Sequence, residues 1–139
     1  MDATLKELNL WKSIKKFWID GLSVPVYFDQ IFVTDRVEDR WIGIAVANLR
    51  PAHVHEASMR VYIFSKEDVE GNKLVGLRDD VLELLEPGRI NLYDVSLDPW
   101  EKIGGILVSV DSQTVPSGVP GGGRIKTIQT TLKWGAVWS

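Results

Sequence analysis

Between Leu5 and Trp18 the apolar residues Leu5, Leu8, Trp11, Ile14 and Trp18 return every three or four positions, the spacing of one face of an α-helix. Thr4 and Glu7 stand in the relation of a capping box, and Gly21 marks the helix end. The period then shortens to two. Val24 to Phe28 is apolar and extended, and Pro25, which has no N–H to give a ladder, predicts an edge strand or the first residues of one. After the charged connection TDRVEDR, Trp41 to Leu49 sets Ile42, Ile44 and Val46 against Gly43, Ala45 and Ala47. Ser58 to Phe64 sets Met59, Val61 and Ile63 against Arg60, Tyr62 and Phe64, so the two segments read as antiparallel neighbours. Leu74, Leu77, Val81, Leu84 and Leu85 predict a second helix, stopped by Pro87-Gly88. Three strands follow: Ile90 to Val95, a segment around Ile106, Val108 and Val110, and Ile125 to Val137 with Ile128, Thr130, Leu132 and Trp134 on its buried side.

These elements predict an α+β fold in the order α-β-β-β-α-β-β-β: a mixed or mainly antiparallel sheet of about five to six strands packed by two helices. At 139 residues the chain is one domain, residues 1–139, large enough to bury roughly 70 % of its unfolded surface. The connection from about 111 to 123, containing SGVPGGG, predicts a flexible hairpin loop, because neighbouring glycines and prolines have little to pack with. Composition is that of a globular protein, and no apolar run reaches the length of a membrane helix or a secretory signal, so a cytosolic start is expected and no membrane partner. Without cysteine there are neither disulfides nor thiolate metal sites. A net charge of −3 supplies no general attraction for nucleic acid. The six tryptophans read first as core filling and second as interface anchors, with Trp100 and Trp138 the candidates for exposure.

Candidate chemistry is sparse. In SGVPGGGRI, Gly118 and Gly123 have the separation of a phosphate loop, but Arg124 stands where its lysine belongs and Ile125 where its hydroxyl belongs, and a strand follows instead of a helix. His53, His55 and Glu56 form the one metal-like pattern, since an extended H-x-H places both rings on one side; a polar turn between strands is the simpler reading. Asp79 and Asp80 point about 100° apart on a helix and do not share a proton, and no serine lies in a nucleophile elbow. Neither catalysis nor a cofactor is expected. The alternative is a small metal-binding α+β enzyme or ligand-binding domain using His53, His55 and Glu56; a third is a nucleic-acid adaptor using Arg124, Lys126 and Lys133.

The amphipathic first helix, the strand ASMRVYIFSKE followed by the helix GNKLVGLRDDVLELL, and the late hairpin ending in IKTIQTTLKWGAV together resemble the tail terminator, or tail completion, proteins of long-tailed bacteriophages. The resemblance implies a non-enzymatic virion protein at the head–tail junction, assembled in the host cytoplasm. Its subunits would form a homo-oligomeric ring, a hexamer on the family pattern, that terminates the tail tube and meets the head connector, with DNA only passing through. The glycine-rich loop has no counterpart in the family pattern. On this reading Gly118, Gly121, Gly122, Gly123 and Arg124 make the loop contact, while Lys12, Lys15 and Lys16 on the first helix and Asp79, Asp80 and Glu83 on the second supply complementary subunit contacts.

Overall fold

The structure is a computed structural model that describes residues 2–28, 39–68, 70–119 and 123–135. A 3₁₀ turn, Ala3–Leu5, leads into α1 (Glu7–Gly21). Then come β1 (Val26–Phe28), β2 (Arg40–Arg50), β3 (His55–Ser65), α2 (Asn72–Leu85), β4 (Arg89–Asp94), β5 (Glu101–Gln113), β6 (Ser117–Val119) and β7 (Gly123–Trp134). The α+β class is as expected. The element order differs by one short strand, β6, and by the opening 3₁₀ turn.

The seven strands form one sheet in the order β1-β2-β3-β7-β5-β4, with β6 also paired to β7. Every pairing is antiparallel except β1 with β2. Strand alternation decides what is buried. Ile42 and Ile44 of β2, Ala57, Met59, Val61 and Ile63 of β3, and Ile128, Thr130, Leu132 and Trp134 of β7 line one face. Leu10, Ile14 and Trp18 of α1 and Leu74, Leu77, Val81 and Leu85 of α2 complete the same core. Fully burying such a side chain contributes roughly 1.5–3 kcal/mol, so this single layer dominates stability.

The face of α1 is rotated from the predicted stripe. Leu8 is 57 % exposed, while Asn9, Leu10, Ser13, Ile14 and Trp18 are buried. The reason lies in β4, an edge strand whose outward amides need acceptors. Ser13 Oγ accepts from Tyr93 N at 2.9 Å and Asn9 Oδ1 from Val95 N at 3.0 Å, so two polar residues are drawn into the contact. On its other flank Trp11 packs edge-on against Phe28 of β1. The helix therefore bridges both margins of the sheet. No capping box forms: α1 starts at Glu7 with Lys6 before it, and Thr4 Oγ1 is buried with no hydrogen-bond partner among the described residues. Thr4 contributes its carbonyl instead, which accepts from Trp134 Nε1 at 2.8 Å and ties the first turn to the last strand.

The predicted loop at 111–123 is mostly strand. β5 continues to Gln113, and Ser117, Gly118 and Val119 pair with Ile125, Arg124 and Gly123. Between them Thr114 exchanges bonds with Thr127, its N donating to the Thr127 carbonyl at 2.9 Å and its Oγ1 accepting from Thr127 N at 2.8 Å. Lys126 Nζ also donates to the Thr114 carbonyl at 2.6 Å. Pro116 falls at the break between β5 and β6, where its missing N–H interrupts no ladder bond.

Candidate functional site

The polar residues singled out by the sequence do not converge. His55 is not in a polar turn; it opens β3 on the core face, is buried, accepts from Ala52 N at 3.3 Å through Nδ1 and packs edge-on against Trp134. His53 is exposed in the preceding bend, and Glu56, next along the strand, lies on the opposite face across from Lys133. Among the described residues no group of three or more His, Cys, Asp or Glu is placed to hold a metal. The proposed nucleic-acid trio is divided by the same alternation: Lys126 and Lys133 are seven residues apart on β7 and point to opposite faces. Lys126 is buried, and burial, aided by the nearby positive Arg78, pushes its ammonium below the usual lysine range.

The glycine-rich segment is divided too. Gly118 lies in β6 opposite Arg124, whose Nε donates to the Asp68 carbonyl at 3.2 Å, and Gly123 is buried at the start of β7. Gly121 and Gly122 lie outside the described residues, as does Trp138. On α1, Lys16 bridges Asp20 at 2.7 Å, Lys15 lies over the rings of Trp11 and Phe28 at 5.1 and 5.4 Å, and Lys12 is exposed. On α2, Asp79 pairs with Arg78 at 2.7 Å, while Asp80 and Glu83 are exposed. Of the tryptophans, Trp18 and Trp134 belong to the core, Trp41 is buried in a stack with Phe64, and Trp100 is 40 % exposed.

What the fold does bring together is two contact surfaces, neither of which the sequence reading identified. The first is a groove of about 550 Å³ between the start of α1 and the end of β2, lined by Glu7, Leu8, Leu10, Trp11 and Val46 to Leu49. β1 accompanies β2 only from Ile42 to Ile44, so the later part of β2, paired with β3 on its inner side, has no strand on its outer side among the described residues. The second is a strand edge. β4 follows β5 only as far as Leu107, and Val108 N donates to the Gly88 carbonyl at 2.9 Å. Beyond that point Ser109 to Gln113 have no strand on that side among the described residues. Val110 is 41 % exposed on this edge, and Val115, just past it, is 83 % exposed.

α2 reaches the end of β5 through one side-chain bond, Arg78 Nε donating to Gln113 Oε1 at 3.4 Å. The start of the helix is fixed by Asp68. Its carboxylate accepts from Ser65 Oγ at 2.8 Å, Leu74 N at 2.9 Å and Lys73 N at 3.2 Å. Burial pushes this carboxyl up, but those bonds, aided by the Lys73 charge, outweigh it and hold the group below its ordinary value.

No family model and no curated protein matches the chain. Among solved structures 16 chains match. One, a protein whose name carries no functional term, is 13 % identical and shares the fold over 94 % of this chain and 96 % of its own, with a TM-score of 0.57. At that identity the likeness establishes a common α+β architecture and leaves function to the surfaces. Among the described residues no helix is long and apolar enough to cross a membrane.

Proposed function

We propose that this chain is a structural protein of a phage-like particle that assembles as a ring at the end of the tail tube, terminating the tube and joining it to the head connector. The observation that carries this reading is the outer edge of β5 from Ser109 to Gln113, beside which no strand lies among the described residues, with Val110 exposed on it and Val115 exposed just past it. Folded proteins ordinarily shield such an edge, because its free N–H and C=O groups template pairing with another chain. Farther along the same margin the amides of Tyr93 and Val95 are satisfied by Ser13 and Asn9, so the stretch from Ser109 stands out as a surface for assembly. The chain acts by shape in this reading, and its residues position neighbours without turning over a substrate. The subunit ring, the tube protein below and the connector above are the partners, and the particle's head–tail junction is the location.

Electron microscopy of the concentrated, purified chain tests this. Closed rings with a central opening are expected. Particles that remain compact and unassembled, both alone and with tail tubes added, contradict it.

A further inference from the structure

We infer that His55 is a pH-sensitive latch for the β2–β3 turn, holding it closed while the imidazole is neutral and releasing it when the ring takes up a proton. Its action does not depend on ring assembly. His55 is buried at the start of β3, and its Nδ1 accepts from Ala52 N at 3.3 Å. An imidazole nitrogen accepts only while it carries no proton, so the neutral ring holds its proton on Nε2. Protonation of Nδ1 turns this acceptor into a donor that faces the Ala52 donor, and the bond is lost.

The turn depends on that bond. The register of β2 against β3 shifts between Ala47 and Arg50, where Asn48 takes φ 57°, and among the described residues no backbone-to-backbone bond lies within 51–54. The Ala52–His55 bond therefore closes a turn that regular pairing leaves open. The His55 ring also packs edge-on against Trp134, with centroids 5.7 Å apart, and Trp134 Nε1 donates to the Thr4 carbonyl. One ring thus seats the turn against the end of β7 and, through Trp134, the N-terminal turn. Val46 to Leu49, which wall the groove beside α1, lead directly into this turn, so the latch also sets how firmly that wall is held.

Among the described residues, Asp2 on the N-terminal turn is the charged group that reaches His55. The Thr4 amide first, and the His55 charge in smaller part, hold the Asp2 carboxyl below its ordinary value, so it stays ionised over the range in which a histidine titrates. Glu56 and Lys133 stand on the opposite face of the sheet, and Lys6, Glu7, Arg50 and His53 are exposed. The Asp2 charge is therefore constant from neutral to mildly acid pH and offers the imidazolium a partner once the turn has moved. A buried imidazolium that has lost its contact with Ala52 costs free energy, which movement of the turn into water relieves.

The test is made on the full chain by proton–nitrogen NMR between about pH 8 and pH 5, following the Ala52 amide, the Trp134 indole N–H and the His55 ring protons. All three are expected to move with one midpoint. The hydrogen-exchange protection of Ala52, corrected for intrinsic rate, is expected to fall roughly two- to tenfold from the upper to the lower pH, as one hydrogen bond is lost. His53→Gln is expected to leave this response intact, and His55→Gln, whose amide oxygen accepts without titrating, to abolish it. Ala52 protection that is independent of pH, an Ala52 midpoint that differs from that of the His55 ring, a response lost in His53→Gln or a response kept in His55→Gln overturns the latch. If His55→Gln does not fold, the shared midpoint in the wild-type chain and in His53→Gln decides.

Discussion

Asp68 organises the turn between β3 and α2 without being part of any motif. Three donors converge on its buried carboxylate, and they substitute for the side-chain cap that Gly71, at φ 80°, does not provide. Asp68→Ala strands these donors and should destabilise the fold by about 1–3 kcal/mol, read from the urea midpoint. Because the folded carboxyl lies below its unfolded value, its contribution is fully present above the unfolded value of about 3.9 and is lost as pH falls through the folded one. Asp68→Asn should therefore show less acid-side loss of stability than wild type. An identical pH dependence in the two proteins contradicts that role. Nothing in the local sequence distinguishes Asp68 from its neighbours; its partners are set by how the chain turns. Alternation, in contrast, was legible: it placed Ile128, Thr130, Leu132 and Trp134 on the buried side of β7. Applied to the candidate sites, the same rule separates His55 from Glu56 and Lys126 from Lys133.

α1 is more than a hydrophobic cover, since it also satisfies the edge of β4. Asn9 links both ends of this arrangement, donating from Nδ2 to the Ala3 carbonyl at 3.0 Å and accepting from Val95 N. Asn9→Ala should lower stability by about 1–2 kcal/mol and abolish hydrogen-exchange protection at Val95 before that of the β3 and β7 core. Unchanged protection there would show that the helix merely overlies the edge. The helix itself was legible from its spacing, but its burial face was not, because an apolar count discards the polar residues that an edge strand recruits. β6 was hidden for a related reason. Its Ser-Gly-Val sequence has the composition of a loop, and its strand character comes from pairing with Gly123 to Ile125. A Cβ at Gly118 would meet only Arg124 Nη1 at 3.8 Å, an ordinary contact. Gly118→Val should therefore stabilise the protein by about 0.5 kcal/mol, since a strand position favours a β-branched residue over glycine. A loss of stability in thermal unfolding would argue that this segment is not held as a strand.

The described residues present two different surfaces: the outer side of β5 from Ser109 to Gln113, with no described strand beside it, and a groove beside α1. Two different surfaces on each subunit are what the proposed ring requires. The class of fold was legible from the order of apolar periods. The open edge was not, since it depends on β4 being shorter than β5, and strand length mismatch appears only once the strands are in register. If attraction between the lysines of α1 and the acids of α2 aligns the proposed subunit contact, assembly should weaken as salt rises, and sedimentation across a salt series will measure it; assembly indifferent to salt would contradict that contact. The decisive measurement of the proposed role is made on tail tubes of the particle proposed to carry this protein, polymerised with and without it and imaged by electron microscopy. Tubes that stop at a defined length and bear a ring of extra density at one end are expected when it is present. Tubes of the same length distribution with bare ends in both samples would contradict the role proposed for it.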